Sequence, residues 1–291
     1  MSQISQPSST MEAAPLVRPP SAPGTVFLHE LRDNRGSMIV WGVGYSALLV
    51  IAVMIYPVLK QNNVILNLLA GFGVLNVFAT NYGLDAESVV GFKGYIAFQG
   101  LAWGPLIFAL YSIPRSQMLF LEEEKRGTLD LLLSTPISRW RLLTEKTGAL
   151  LASLVGILFI VWLVLLGATL TSPVADLTPY EVTTAVWHLL PISCVIAIGG
   201  LFVSTLVRQR STATSIMGFV VLGSFFLRAL ADSAQEPTLL QLKALSMFNY
   251  FSAITILSYG PQPQWDSTLY TAAGILFSLS LIAFQRRDLQ P

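Results

Sequence analysis

Residues 120–146 read FLEEEKRGTLDLLLSTPISRWRLLTEK. Ten of the 33 charged residues lie between Glu122 and Lys146, in a 291-residue chain that is 53% hydrophobic and only 11% charged. An ionised side chain at the centre of a bilayer costs about 2.5–3.5 kcal/mol even on lenient insertion scales. Ten of them together therefore belong in water or against protein, and the stretch separates the apolar runs before it from those after it.

Working outward, the mean hydropathy is +0.63, and the apolar residues come in long runs rather than scattered on a polar background. That places the chain among integral membrane proteins. A spanning helix needs about 20 mainly apolar residues. Six segments meet or approach this: Ser37 to Leu59, Gly94 to Ile113, Thr147 to Leu170, Ala185 to Val207, Thr212 to Leu230 and Trp265 to Phe284. Trp41, Trp140, Trp187 and Trp265 stand at or just before four of the starts, as interfacial anchors do, although ordinary packing explains each as well. Val64 to Ala79 and Leu245 to Tyr259 are too short to span and read as interfacial or re-entrant helices.

Lysine and arginine placement selects the topology. Six spans with both termini cytoplasmic put 13 of the 17 basic residues inside and leave Lys60, Lys93, Arg228 and Lys243 outside or at its boundary. Counting Val64 to Ala79 as a seventh span lowers the best split to 11 against 6. The expected fold is thus an all-α integral membrane protein with six transmembrane helices, both termini cytoplasmic, and the charged stretch as the cytoplasmic loop between spans 2 and 3. Residues 1–24, rich in Ser and Pro and without an apolar core segment, read as a disordered cytoplasmic tail rather than a signal peptide, and 25–291 as one six-span domain.

Within the loop, Glu122 to Arg126 has no breaker and is expected to extend the helix of span 2, which Gly127 interrupts. Thr128 can cap a new start, and Pro136 ends the segment LDLLLST after about two turns. Ser138 can cap a third helix carrying Arg139, Arg141 and Lys146 into span 3. Leu129, Leu131, Leu132 and Leu133 surround most of the short helix, and an isolated two-turn helix is not stable in water. These leucines pack either on the chain's own spans and the headgroups, or in a groove of a cytoplasmic partner.

Other chemistry has little support. The net charge of +1 gives no field for nucleic acid. The single Cys194 excludes an intrachain disulfide and reads as a small buried hydrophobe. His29 and His188, the only histidines, are far apart, with His188 expected at the outer start of span 4 as an interfacial residue. There is no H-E-x-x-H, no G-x-S-x-G, no aspartate pair inside the spans and no G-x-x-x-x-G-K-[ST]. No catalytic residue, metal site or cofactor site is assigned. The span centres carry almost no ionisable groups, Gln99 and Trp103 being the most polar, so proton or ion coupling through the membrane has no visible machinery. Arg228 lies near the outer end of span 5 and can snorkel, and Pro105 and Pro191 are candidate kinks in spans 2 and 4.

The order Glu123, Gly127, Thr128, Leu129, Asp130, Leu131, Leu132, Pro136, Ser138, Arg139, Lys146 resembles the pattern E-x-x-x-G-T-L-E-x-L-L-x-x-x-P-x-S-R…K of ABC type-2 transporter permeases. HELRDNRGSMIVWGVG at His29 to Gly44 is similar to the family's amphipathic entry helix and first span. Departures are Lys125 where an acidic residue is common, Asp130 for glutamate, and Glu145 for a glycine before the lysine. The resemblance implies that the helix at Thr128 to Thr135 is a coupling helix contacting an ABC ATP-binding subunit. Glu123, Gly127, Thr128, Leu129, Asp130, Leu131, Leu132, Leu133, Pro136 and Arg139 are then the interface residues. It implies that ATP and Mg are bound by that partner and not by this chain, which is a transport subunit rather than an enzyme. It implies a second copy of the chain, or a related permease, beside it in the cell membrane, with lipids around both. The same likeness implies short re-entrant helices closing the exit within Asp232 to Asp266. The competing readings are a non-transporting anchor that recruits a cytoplasmic partner through the same loop, and a secondary transporter. The substrate is not legible.

Overall fold

The structure, a computed structural model, describes residues 24–61, 89–119, 138–173, 175–234 and 237–286. The expectations for the tail at 1–23, for Val64 to Ala79, and for the loop at 120–137 with its extension of span 2 and its leucine helix lie outside the described residues. The described part is almost wholly helical and contains no strand. Six helices, two of them broken, are long and apolar enough to cross a membrane.

Span 1 is α1 (Thr25–Gln61), a continuous helix of 37 residues. At 1.5 Å per residue it is about 55 Å long, more than a bilayer with its headgroups at about 40–45 Å. It starts well before the expected Ser37, because the entry segment and the span form one rod. Pro57 falls inside its last turns. Span 2 is broken: α2 (Phe92–Gln99), a 3-10 turn (Leu101–Trp103) and α3 (Gly104–Gln117). Pro105 is therefore not a kink within a helix but lies in the first turn of α3, where its missing N–H has no intrahelical partner to lose. Span 3 is α4 (Arg139–Thr171), starting eight residues before the apolar run.

Span 4 divides into α5 (Pro179–Trp187) and α6 (Leu189–Leu206), with His188 between them. Its true start is marked by a capping box: the Thr178 hydroxyl accepts from the Glu181 N–H while Glu181 accepts from the Thr178 N–H. Pro191 sits in the first turn of α6, so it too begins a helix rather than bending one. Span 5 is α7 (Arg210–Ala234). After it come three short pieces: α8 (Pro237–Leu242), 3-10 turns at Lys243–Leu245 and Met247–Tyr250, and α9 (Ala253–Tyr259). Gly260, at φ +87°, ends α9 with its N–H on the Ile256 carbonyl, a backbone angle that favours glycine. Span 6 is α10 (Pro263–Arg286).

Span 4 is the axis of the bundle, with 78% of its most apolar window buried against 17% for span 5 and 22% for span 6. α6 packs on α3, α4, α7 and α10, while α1 lies along α4. Small residues let α1 and α4 approach. A Cβ on Gly42 would stand 2.9 Å from Ile160 Cδ1, and one on Gly156 would stand 2.2 Å from Met38 Cε. The chain leaves α1 and re-enters α2 at one end of the bundle. There Tyr56 meets Phe92 and Tyr95 at ring separations of 5.1 and 5.2 Å, the arrangement a six-span count requires.

At that same end Lys93 of α2 pairs with Glu181 of α5 at 2.6 Å. The segment 243–259 packs here against α2, α5 and α7, with Phe248, Phe251, Ile254, Ile256 and Leu257 buried. Ser224 and Arg228, one turn apart on α7, hold it. Ser246 donates to the Ser224 carbonyl at 2.7 Å, and Ser224 Oγ accepts from Met247 N at 2.9 Å. Arg228 donates to the carbonyls of Phe248 and Phe251 and pairs with Asp232. Its guanidinium is turned onto the backbone of this segment, where the Phe248 carbonyl also accepts from the Phe251 N–H at 3.3 Å.

Candidate functional site

The residues flanking 120–137 form a polar junction between spans 1, 2 and 3. Span 2 runs through α3 to a last turn at Met118 and Leu119, and span 3 resumes at Ser138. Ser138 occupies the N-cap position in an extended conformation (φ −69°, ψ 142°), as its sequence predicts, but its side chain makes no cap bond. Of the expected interface residues only Arg139 is described, half-buried in the first turn of α4 beside the exposed Trp140. Glu123, Gly127, Thr128, Leu129, Asp130, Leu131, Leu132, Leu133 and Pro136 lie outside the described residues.

Glu145 explains its own departure from the glycine that the family pattern carries. Its carboxylate accepts from the backbone N–H of Gly24 at 3.1 Å, Val26 at 3.1 Å and Phe27 at 3.3 Å, across about 120 residues of chain. The first N–H groups of any helix lack intrahelical acceptors, and the dipole makes that end positive. Glu145 thus supplies, from span 3, the cap that α1 does not carry itself. Arg141, one turn earlier, holds the same carboxylate at 2.8 Å.

Lys146 is 1% exposed. Sequence alone leaves it either in water or against protein, and the structure places it against protein. Its Nζ donates to Glu30 Oε1 of α1 at 3.1 Å and to the Leu119 carbonyl at the end of span 2 at 3.0 Å. A buried ammonium is tolerable only when paired and hydrogen-bonded, and both conditions hold. One side chain of span 3 therefore grips spans 1 and 2 where the chain leaves for 120–137.

A second polar layer lies one to two turns deeper. Asn34 of α1 donates from Nδ2 to Tyr111 Oη of α3 at 2.5 Å and to Ser153 Oγ of α4 at 2.7 Å. The end of α3 is also tied to the axis of the bundle, since Gln117 Nε2 donates to the Gly200 carbonyl of α6 at 3.1 Å. A Cβ on Gly200 would stand 2.3 Å from Ser116 Oγ, so glycine is what lets α3 and α6 approach this closely.

Among the described residues no group of three or more His, Cys, Asp or Glu could hold a metal. His29 is exposed beside Asp33. His188 is structural: Nδ1 lies 2.8 Å from the Thr184 carbonyl, and Nε2 lies 3.2 Å from both Gln262 N and Asp266 Oδ2, joining span 4 to the start of span 6. Cys194 is buried, as its apolar surroundings predict. What the junction can do is mechanical. The chain entering 120–137 is held at Leu119 and the chain leaving it is held at Glu145 and Lys146, so a displacement of the intervening residues acts on spans 1, 2 and 3 together.

Sequence reasoning placed the helix start at Ser138 but missed Glu30, Asn34 and Tyr111, because their role depends on three helices meeting. The isolated Glu145-Lys146 pair at the edge of an apolar run was the available signal.

No curated protein matches the chain. A family model, that of the ABC-2 family transporter proteins, matches residues 25–289, nearly the whole of it. With six apolar spanning helices and a polar junction around the loop after span 2, the chain belongs to the ABC-2 transporter family and is a multi-pass permease-type protein of the cell membrane.

Proposed function

We propose that this chain is the membrane subunit of an ATP-driven exporter, powered by a separate ATP-binding subunit that docks on residues 120–137 from the cytoplasm. Permeases of the family generally pair with such a subunit. The observation that carries the reading is Lys146, buried and bonded at once to Glu30 and to the carbonyl of Leu119. A cation in this place makes the ends of three spans one mechanical block at the point where a lever in the loop would act. In this reading Glu123, Gly127, Thr128, Leu129, Asp130, Leu131, Leu132, Leu133, Pro136 and Arg139 form the contact, ATP and Mg are bound by the partner, and two permease chains enclose the path between them. Spans 1, 2 and 5 rearrange around that path, and both termini face the cytoplasm.

The test is Leu131→Asp with Leu132→Asp in the full chain coexpressed with its ATP-binding subunit. The expected result is loss of copurification, or loss of cargo-stimulated ATP hydrolysis. Unchanged copurification together with unchanged hydrolysis refutes the reading.

A further inference from the structure

At the end of the bundle opposite the junction, His188 faces two neighbours that ask opposite things of one nitrogen. Its Nδ1 lies 2.8 Å from the Thr184 carbonyl. A carbonyl oxygen only accepts, so Nδ1 carries a proton whatever the other nitrogen does. The backbone N–H of Gln262 donates to Nε2 at 3.2 Å, which needs a lone pair there and hence a neutral ring. Asp266 Oδ2 also stands 3.2 Å from Nε2, and a carboxylate needs an N–H there, hence an imidazolium. One nitrogen cannot satisfy both at once. Gln262 lies in the linker that carries the segment 243–259 to span 6, whereas Asp266 lies in the first turn of α10. The state of Nε2 therefore decides whether span 4 holds the linker or span 6. The His188 side chain is 11% exposed and that of Asp266 25%, so water reaches the pair while most of it stays covered.

The other titratable groups around the ring leave this choice to Asp266. On α5, Glu181 stands about two turns before His188 and is engaged by Lys93 at 2.6 Å. Asp176, ahead of α5, acts on Tyr56 of α1. Tyr270, one turn beyond Asp266 on α10, Cys194 on α6 and Tyr259 on α9 are phenols and a thiol, which carry no charge in neutral or acid solution. The last turns of α4, from Trp162 to Thr171, contain no ionisable residue.

We propose that His188 is a proton-operated latch. With a neutral ring it holds the Gln262 N–H and fixes the linker to span 4; on taking a proton from solution it lets that N–H go and pairs with Asp266, so acid frees the linker and ties span 4 to span 6. The latch uses no residue of 120–137 and no ATP-binding partner, so its test is separate from that of the proposed function.

The experiment uses the full chain in detergent, taken from about pH 8 to about pH 5, the interval in which histidines ordinarily titrate. With 15N-labelled histidine and His29→Gln, which removes the other, exposed histidine, NMR reads the two ring nitrogens of His188 directly. The expected result is a proton on Nδ1 alone at the alkaline end and on both nitrogens at the acid end. Hydrogen exchange reads the linker: Pro261 and Pro263 have no N–H, so Gln262 carries the single amide between Gly260 and Gln264. Its protection, corrected for the intrinsic effect of pH, is expected to fall about fivefold in acid, the worth of one backbone hydrogen bond. Asp266→Asn removes the anion that favours the imidazolium, so the fall should need more acid, and His188→Gln should abolish it. A neutral ring protonated at Nε2, constant protection of Gln262 across the interval, a fall that persists in His188→Gln, or one that Asp266→Asn leaves at the same pH each overturns the proposal.

Discussion

Glu145→Ala removes the acceptor shared by three backbone N–H groups at the start of α1 while leaving every apolar contact of spans 1 and 3 in place. A hydrogen bond to a charged group contributes about 1.5–3 kcal/mol, and loss of an ordinary N-cap costs about 0.5–2 kcal/mol. The three bonds to Gly24, Val26 and Phe27 share one carboxylate and are not additive. Arg141, left behind at 25% exposure, is partly screened by water. These considerations place the cost of the substitution at about 2–4 kcal/mol, concentrated in the first turn of α1. At about 1.4 kcal/mol per decade, opening of that turn becomes about 30- to 700-fold more frequent. Hydrogen exchange read by mass spectrometry on the peptide beginning at Gly24 measures it directly, because exchange through local opening tracks the opening equilibrium. Exchange there should accelerate by that factor while the middle of α6 stays protected. Glu145→Gln, which keeps a carbonyl acceptor but not the charge, should fall between. Unchanged exchange in the first turn refutes the capping role, and so does an increase that is uniform over α1 and α6.

Lys146→Met breaks a buried ion pair on one side. Such a loss costs about 3–5 kcal/mol when the partner stays dry, but Glu30 is 20% exposed and can rehydrate, so about 2–4 kcal/mol is expected as a lower midpoint in thermal unfolding in detergent. Lys146→Met with Glu30→Leu should recover part of this loss, and a double-mutant coupling of zero would mean the two do not interact. Gly200→Ala places a methyl 2.3 Å from Ser116 Oγ and should destabilise by about 1–3 kcal/mol through overpacking. Ser116→Ala should relieve much of it, since the next atom is Ser116 Cβ at 3.3 Å. Arg228→Gln frees the carbonyls of Phe248 and Phe251, so a cysteine placed at Tyr250 should label several times faster with a water-soluble maleimide, an effect absent if the segment is held by its apolar contacts alone.

Some of this molecule is written locally. A run of 20 apolar residues has one stable environment whatever its neighbours, so the six spans and the polarity of 120–146 could be read from sequence alone. The helix start at Ser138 was legible for a similar reason, since a cap position is defined by the few residues around it. The span limits were not. Hydropathy ends where charge begins, and α1 and α4 continue as helix through their charged turns because each supplies the other's counter-ions. Likewise Pro105 and Pro191 looked like kinks in unbroken runs, whereas the breaks fall at Gly100 to Trp103 and at His188, and each proline lies in the first turn of the helix beyond the break.

Only the tertiary structure decided what the charges do. In sequence, Glu145, Lys146 and Arg228 mark a side of the membrane. In the fold, Glu145 caps a helix about 120 residues away, Lys146 joins three spans, and Arg228 latches the segment before span 6. Burial of apolar surface acts on each run separately and depends little on partner identity, so it can be read from one segment. A buried charge is stable only beside particular acceptors, and which acceptors meet it is settled when the helices pack.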